Sequence, residues 1–586
     1  MKTLPLFLAL CAALAPLSSA AAESFDEFID RLTLEWVRLD PQAATERQFF
    51  TGAEQDALDR QLTPVSGEFI QQRAAMAGRV LAGLQHFDRR ALSANQRVSA
   101  AMLQWQMEEV IGDAKYNDYN LPFNQIIGAQ AGIISYMDNA HPLRNVRDAE
   151  NYLARLEQIP ALIEQLLVQA RAREAKGIRP PDFILQATIG QMERLISPAP
   201  KDNLLVTSLG DRLAKLPTVS AAARGTFSAA AEKTVADAIY PAYRRAIEFL
   251  QSQQPKATSA AGLSRLPGGE EAYAYFLKKY TTTDLTAAQV HEIGLKEVAR
   301  LEQEMDVIFK QLGLSEGSIN QRFRQLVARS QFPGTEDEQR TRMLATYEQT
   351  IRDAEKRCET LFDIRPKAPV VVKREPAFSE RNAAAHYTPP AKDGSRPGIF
   401  WAVLPELPFN TVALRTLAYH EAVPGHHFQF ALQAERTDLP RFRSDAIFGF
   451  ISAHGEGWAL YAERLAAENN WYEGDPVGRI GQLGSALFRA KRLVVDTGLH
   501  TKQWTRQRAI DYGMPAAEVE RYVVWPGQAC SYKVGELKIL ALREKVKQAL
   551  GAKFDLKQFH NLVLRTGGVP LAVLEQLIDD WVASIR

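Results

Sequence analysis

The sequence predicts a mainly α protein, a large helical body that carries one small antiparallel sheet. Three observations predict it. Residues 23 to about 254 are rich in Ala, Leu, Glu, Arg and Gln. Their apolar positions recur at helical spacing. Runs of β-branched and aromatic residues are concentrated between Ala368 and Leu404.

In chain order, Phe69 to Leu84 reads as a helix. Tyr152, Leu153, Leu156 and Ile159 share one helical face before Pro160 interrupts it, and Ala221 to Leu250 is helical and Ala-rich. The polar stretch Gln251 to Gly269 is the best boundary, dividing a helical region (23–260) from a catalytic region (261–586). Beyond it, Thr286 with Gln289 forms a capping box ahead of Val290, Ile293, Val298, Leu301, Met305 and Ile308, which marks a long amphipathic helix. His291-Glu292 within it has no second histidine at ligand spacing and reads as a solvated pair. Val370-Val371-Val372 and Ile399-Phe400-Trp401-Ala402-Val403 flank a turn at Lys392-Asp393-Gly394-Ser395, the pattern of an antiparallel pair.

Lys and Arg number 70 against 69 Asp and Glu, so no charge excess points to nucleic acid or an acidic membrane surface. A small-molecule or peptide substrate is the expected partner, while nothing bears on oligomeric state. Lys2, the apolar Leu4 to Leu17 and the small residues Ser18 to Ala22 read as an export signal over residues 1–22. That run is too short to span a bilayer and no later one approaches the length required, so a periplasmic or secreted protein is expected. Leu8-Ala9-Leu10-Cys11 faintly resembles a lipoprotein signal, but Leu10 is bulky and the cysteine early, which disfavours a lipid anchor. The remaining Cys358 and Cys530 make no disulfide framework.

The chemistry concentrates at His420-Glu421-Ala422-Val423-Pro424-Gly425-His426-His427. An H-E-x-x-H helix sets two imidazoles one turn apart on one zinc ion, with the glutamate beside them as base. Here Pro424 occupies the second ligand position. On an unbroken helix His426 would lie roughly 120° round from His420, and His427 about 10.5 Å along the axis. Proline removes a backbone bond and glycine tolerates unusual dihedrals, so Pro424-Gly425 marks a break that returns His426 to the ligand position. A different register would select His427.

Five of the ten histidines fall between positions 420 and 500. A catalytic zinc takes three protein ligands and keeps one open position. Glu456, in His454-Gly455-Glu456-Gly457-Trp458, supplies the third from a second helix that also aligns Leu460 and Glu463. Glu463 or His454 could instead ligate, or orient a histidine. Glu421 is then the general base. Arg489, Arg492, Asp496 and His500 form a helical stripe that could bind substrate, the arginines through a peptide carboxylate; a salt-bridged face explains it equally. In Pro526-Gly527-Gln528-Ala529-Cys530-Ser531-Tyr532-Lys533, Gln528 could contact substrate and Tyr532 could donate to the oxyanion of a tetrahedral intermediate.

These segments, with Leu266-Pro267-Gly268-Gly269, Asp393 to Phe400 and Val495 to His500, resemble the bacterial domain-of-unknown-function 885 family over most of the mature chain. The resemblance implies a zincin-like metallopeptidase of the glutamate-ligand type, a helical body with a small sheet edging a deep active-site cleft. It also implies His420, His426 and Glu456 as ligands of Zn²⁺ and Glu421 as base. An aromatic or aliphatic residue is expected where His454 stands, and Cys530 has no chemical role in the pattern. The function expected is zinc-dependent cleavage of short peptides, with exopeptidase action favoured. A non-catalytic peptide- or metal-binding protein is the alternative, and an amidase of cell-wall peptides differs from the first only in substrate.

Overall fold

Helices dominate the computed structural model, which describes residues 23–375, 380, 384–391, 394, 396–404 and 409–585. The expected export signal and the turn residues Lys392, Asp393 and Ser395 lie outside those residues. Polar caps start the helices where the sequence supplies them. Ser24 and Glu27 cap Phe25–Arg38, and Ser66 caps Gly67–Leu84. The Tyr152 face lies in Val146–Leu156, where Tyr152 and Leu156 are buried. Pro160 occupies the first turn of the next helix, Ile159–Ala175, where its missing N–H costs nothing. The Ala-rich segment forms Ala221–Thr234 and Tyr240–Gln253, joined by a π-helical turn at Val235–Ile239.

Eight helices build the region of interest, labelled in chain order. They are α1 (Gly269–Thr281), α2 (Ala287–Gln311), α3 (Leu414–Glu421), α4 (His426–Ala434), α5 (Ser452–Glu468), α6 (Pro476–Thr501), α7 (Ala516–Val524) and α8 (Ser531–Leu550). The Thr286/Gln289 capping box opens α2. His291 is not simply solvated: half-buried, it meets Thr497 Oγ1 on α6 at 2.7 Å.

The sheet is mixed, which corrects the antiparallel expectation. Its strands β1 (Val370–Arg374), β2 (His386–Thr388) and β3 (Gly398–Ala402) lie in the order β1-β3-β2. The two apolar runs pair in parallel, Val372 opposite Phe400, and only β2 runs antiparallel to β3. Parallel neighbours need a crossover of a dozen or more residues, and the segment between β1 and β3 is long enough to supply one and to contribute the edge strand β2 as well.

One core spans the chain. Phe25, Trp36 and Leu103 from the N-terminal helices pack in the same apolar cluster as Phe400, Tyr419, Trp458 and Ile578. A second cluster, from Leu62 to Leu250, belongs to the N-terminal helices alone. The polar stretch near residue 260 is itself packed down: Ala261 and Leu263 are buried, and Leu263 N donates to His500 Nδ1 on α6. Helices α5 and α8 cross at Gly457 and Gly535, where a Cβ on Gly535 would fall 1.9 Å from the Ala453 carbonyl oxygen. Only glycine permits that approach, and one turn earlier Ser531 of α8 meets Ser452 at the start of α5. Among the described residues no helix is long and apolar enough to cross a membrane. Cys358 and Cys530 are both free and buried.

Candidate metal centre

The histidine motif is two helices, not one. Helix α3 stops at Glu421, Ala422 leaves helical geometry (φ −112°, ψ −95°), and α4 restarts at His426. The Val423–Pro424 peptide is cis. Gly425 makes the tight return possible: a Cβ there would lie 1.9 Å from the His420 carbonyl oxygen and 2.4 Å from that of Tyr419. Trp458 Nε1 on α5 donates to the Pro424 oxygen at 2.9 Å, tying the break to the helix that carries Glu456.

This turn brings His426 back over His420, ring centroids 4.9 Å apart and nearly perpendicular. The Nε2 atoms of both histidines stand 3.5 Å from the same oxygen, Glu456 Oε2. His420, His426 and Glu456 offer ligand atoms within 4.8 Å of one another. Ligand atoms of a tetrahedral zinc, each about 2.1 Å from the ion, lie roughly 3.4 Å apart. Glu456 Oε2 is buried and has no hydrogen-bond partner of its own, as suits an oxygen reserved for a cation. Two imidazole nitrogens and one carboxylate oxygen are a donor set that zinc takes readily, so the residues fit the ion.

His420 is oriented from behind, its Nδ1 meeting Glu463 Oε1 at 2.8 Å, the carboxylate support common at zinc histidines. Burial opposes charge on His420, but Glu456 and Glu463 outweigh it and raise its pKa to about 9. Burial likewise works against charge on Glu456, yet the two imidazoles 3.5 Å from its Oε2 hold its carboxyl well below the usual range. Glu421, buried at the end of α3, is pushed the other way, chiefly by desolvation.

The sequence matches the model for the bacterial proteins of unknown function DUF885 over residues 41–578. The chain belongs to the DUF885 family. A solved structure described as a candidate lipoprotein from Colwellia psychrerythraea is 31% identical, covering 96% of this chain and 100% of that chain, with a TM-score of 0.88. Another, a candidate lipoprotein of unknown function from Shewanella oneidensis, is 20% identical over 95% of this chain and 100% of that one, with a TM-score of 0.71, and shows the fold alone. No match is found among curated proteins.

In this DUF885 chain the alternatives to the metal set are engaged elsewhere. His427 turns away, its Nδ1 2.9 Å from the Tyr387 hydroxyl on β2, and burial lowers its pKa to about 4. His454 is fully buried with Nδ1 against the Val569 backbone, and desolvation lowers it to about 4.

The α6 stripe is interior rather than a solvated face. His500, expected to touch substrate, is instead a strut: fully buried, it holds Leu263 N with Nδ1 and the Tyr522 oxygen with Nε2. Asp496 is equally buried, accepting from the Tyr273 hydroxyl at 2.6 Å and from Gly527 N at 3.0 Å, and burial raises its pKa to about 7. Arg489 Nη1 donates to Ser485 Oγ one turn back along α6. Arg492 pairs with Glu518 Oε2 of α7 at 3.0 Å.

Gln528 Nε2 donates to Ser452 Oγ at 3.3 Å, and Ser452 Oγ lies 2.7 Å from Ser531 Oγ. Ser452 precedes Glu456 by one turn of α5, about 6 Å along the axis, so the Gln528-to-Tyr532 segment borders the metal cluster. Motif reading missed Arg521, whose Nη2 reaches Gln528 Oε1 at 2.5 Å and stands 3.5 Å from the Tyr532 hydroxyl. It also missed Tyr387, on a strand with no motif of its own.

A cavity of about 1330 Å³ separates β2 and β3 from the N-terminal helices, lined by His386, Thr388 and Trp401 on one side and Gln130, Asp138 and Asn203 on the other. None of the cluster residues lines it; strand β2 connects the two, with His386 at the cavity and the next residue, Tyr387, against His427 of α4.

Proposed function

We propose that this DUF885 protein is a zinc-dependent hydrolase that cleaves the amide bonds of short peptides. The observation that carries the proposal is the convergence of His420, His426 and Glu456, with Glu463 behind His420 and Glu421 at the helix end beside them. Zn²⁺ held by those three residues would polarise the scissile carbonyl and acidify a water molecule. Glu421, buried at the helix end next to His420, would take the proton from the attacking water and pass it to the departing amine, and desolvation makes it a stronger base than an exposed glutamate. Glu463 holds the His420 ring by its Nδ1, leaving Nε2 for the metal. Tyr532, half-buried with its hydroxyl next to Arg521, is the donor for the developing oxyanion. The cavity beside β2 and β3 exceeds the 300–1,000 Å³ or so of ordinary small-ligand pockets, which supports a peptide rather than a smaller substrate.

The apolar leader and the description of the Colwellia relative as a lipoprotein support a location in the cell envelope. A protein that only bound peptide or metal would have no use for Glu421. Glu421→Gln should therefore keep zinc while losing about 10²- to 10⁴-fold in kcat/KM on a quenched oligopeptide. Activity unchanged in the variant rejects the mechanism, and zinc and peptide binding without any hydrolysis by the wild type establishes the binding protein instead.

A further inference from the structure

One group of buried charges borders the metal cluster and has no part in the reaction above. Arg492, on α6, is 5% exposed, and its guanidinium lies between the Phe488 ring at 4.9 Å and the Tyr532 ring at 4.5 Å. Its Nη2 is held by Glu518, while Nε and Nη1 are buried and meet no carboxylate or carbonyl among the described residues, only the neighbouring Tyr532 hydroxyl bearing on the guanidinium. An arginine stays charged and presents five N–H donors, and buried donors of a charged group without an acceptor are costly and rare.

No neighbouring acid is spare. Glu518 already takes Arg492, Arg521 Nη1 at 3.4 Å and the Tyr522 hydroxyl at 2.7 Å. Asp496, the other acid under the field of Arg521, is taken by Tyr273 and Gly527. Two guanidinium groups thus share one carboxylate, a surplus of one positive charge. The Arg492 guanidinium lies over the ring of Tyr532, and Arg521 reaches the hydroxyl of the same tyrosine.

We infer that Arg492 and Arg521 form a subsite for a carboxylate and that it holds the free C-terminal carboxylate of the substrate. The inference rests on the peptide-hydrolase reading and deepens it to a carboxypeptidase. With the Tyr532 hydroxyl at the scissile carbonyl, a carboxylate on the guanidinium beneath its ring is about one residue away, since consecutive Cα atoms are about 3.8 Å apart. The bond cut is then the last one. An acidic side chain carries the same chemistry, and the choice of substrates separates the two sources.

The test uses the zinc-loaded enzyme and three peptides: one with a free C-terminal acid, the amide of the same sequence, and an amide in which the last residue is replaced by Glu. The acid should be cleaved with kcat/KM about 30-fold above either amide, the discrimination expected of hydrogen bonds to a buried ion. Arg492→Gln and Arg521→Gln should bring the ratio near one. Arg521→Gln leaves the Arg492–Glu518 pair intact, so it serves if Arg492→Gln fails to fold. Equal cleavage of acid and plain amide by the wild type overturns the inference, and preference for the Glu-ended amide overturns the C-terminal assignment. If none of the three is cleaved, the peptidase reading fails and the subsite is judged by calorimetry with N-acetylphenylalanine and its amide. Acid binding about 10-fold tighter or more, and lost in Arg521→Gln, upholds the carboxylate site; equal binding removes it.

Discussion

Gly425→Ala is the sharpest probe of the break between α3 and α4. The new Cβ would lie 1.9 Å from the His420 carbonyl oxygen, 2.4 Å from the Tyr419 oxygen and 2.6 Å from the His420 carbonyl carbon. Ordinary contact begins at about 3.4 Å, so backbone must move by about 1.5 Å, and the nearest backbone is that of a proposed ligand. Displacements of that size cost active sites about 10²-fold, and overpacking a core costs about 1–3 kcal/mol of stability. Zinc affinity, measured by competition with a chromophoric chelator, should fall by about 10²-fold or more while far-UV circular dichroism stays helical. Gly78→Ala is the control: a Cβ there meets nothing within 4 Å, so affinity should not change. If Gly425→Ala binds zinc as tightly as the wild type, the return of His426 over His420 does not depend on the close packing at Gly425, and the reasoning fails.

Two further outcomes follow from side chains away from the motif. Glu463→Gln removes the carboxylate behind His420 and should weaken zinc binding about 10- to 100-fold, read by the same competition; unaltered affinity would make Glu463 a bystander. Asp496, fully buried, has a folded pKa of about 7 against about 3.9 unfolded, so the folded chain holds the proton more tightly and stability is lost as pH rises from about 4 through 7. That loss is on the order of 4 kcal/mol at most, at about 1.4 kcal/mol per pH unit. Urea midpoints of the wild type should therefore decline between pH 5 and 8 more steeply than those of Asp496→Asn, and parallel slopes would contradict the assignment.

The convergence of His420, His426 and Glu456 was largely legible in the sequence. Pro424 and Gly425 are so ill-suited to a helix interior that their place between His420 and His426 announces a break, and Glu456 stands out by its Gly-Glu-Gly-Trp setting. Choosing His426 over His427 was not legible, because it depends on which way α4 restarts. The helical body followed from periodicity and caps, as at Thr286 and Gln289, since those signals are local. Pairing of β1 with β3 in parallel was hidden because the residues between them, not the two apolar runs, decide the topology. His500 and Asp496 look like a polar stripe in sequence but are interior struts, for their partners Leu263, Tyr273 and Gly527 come from distant segments. Arg521 was missed for a different reason: its partners Gln528 and Tyr532 are near in sequence, but the turn at Gly527 (φ 79°) that brings them back to it breaks the helical spacing by which they could have been read together.

The central claim is that His420, His426 and Glu456 together hold one zinc ion. Elemental analysis of zinc-loaded, dialysed protein tests it most directly, comparing the wild type with His426→Ala and His427→Ala. One zinc per chain is predicted for the wild type and for His427→Ala, with none retained by His426→Ala. Zinc lost from His427→Ala but kept by His426→Ala, or none bound by the wild type, would contradict the account.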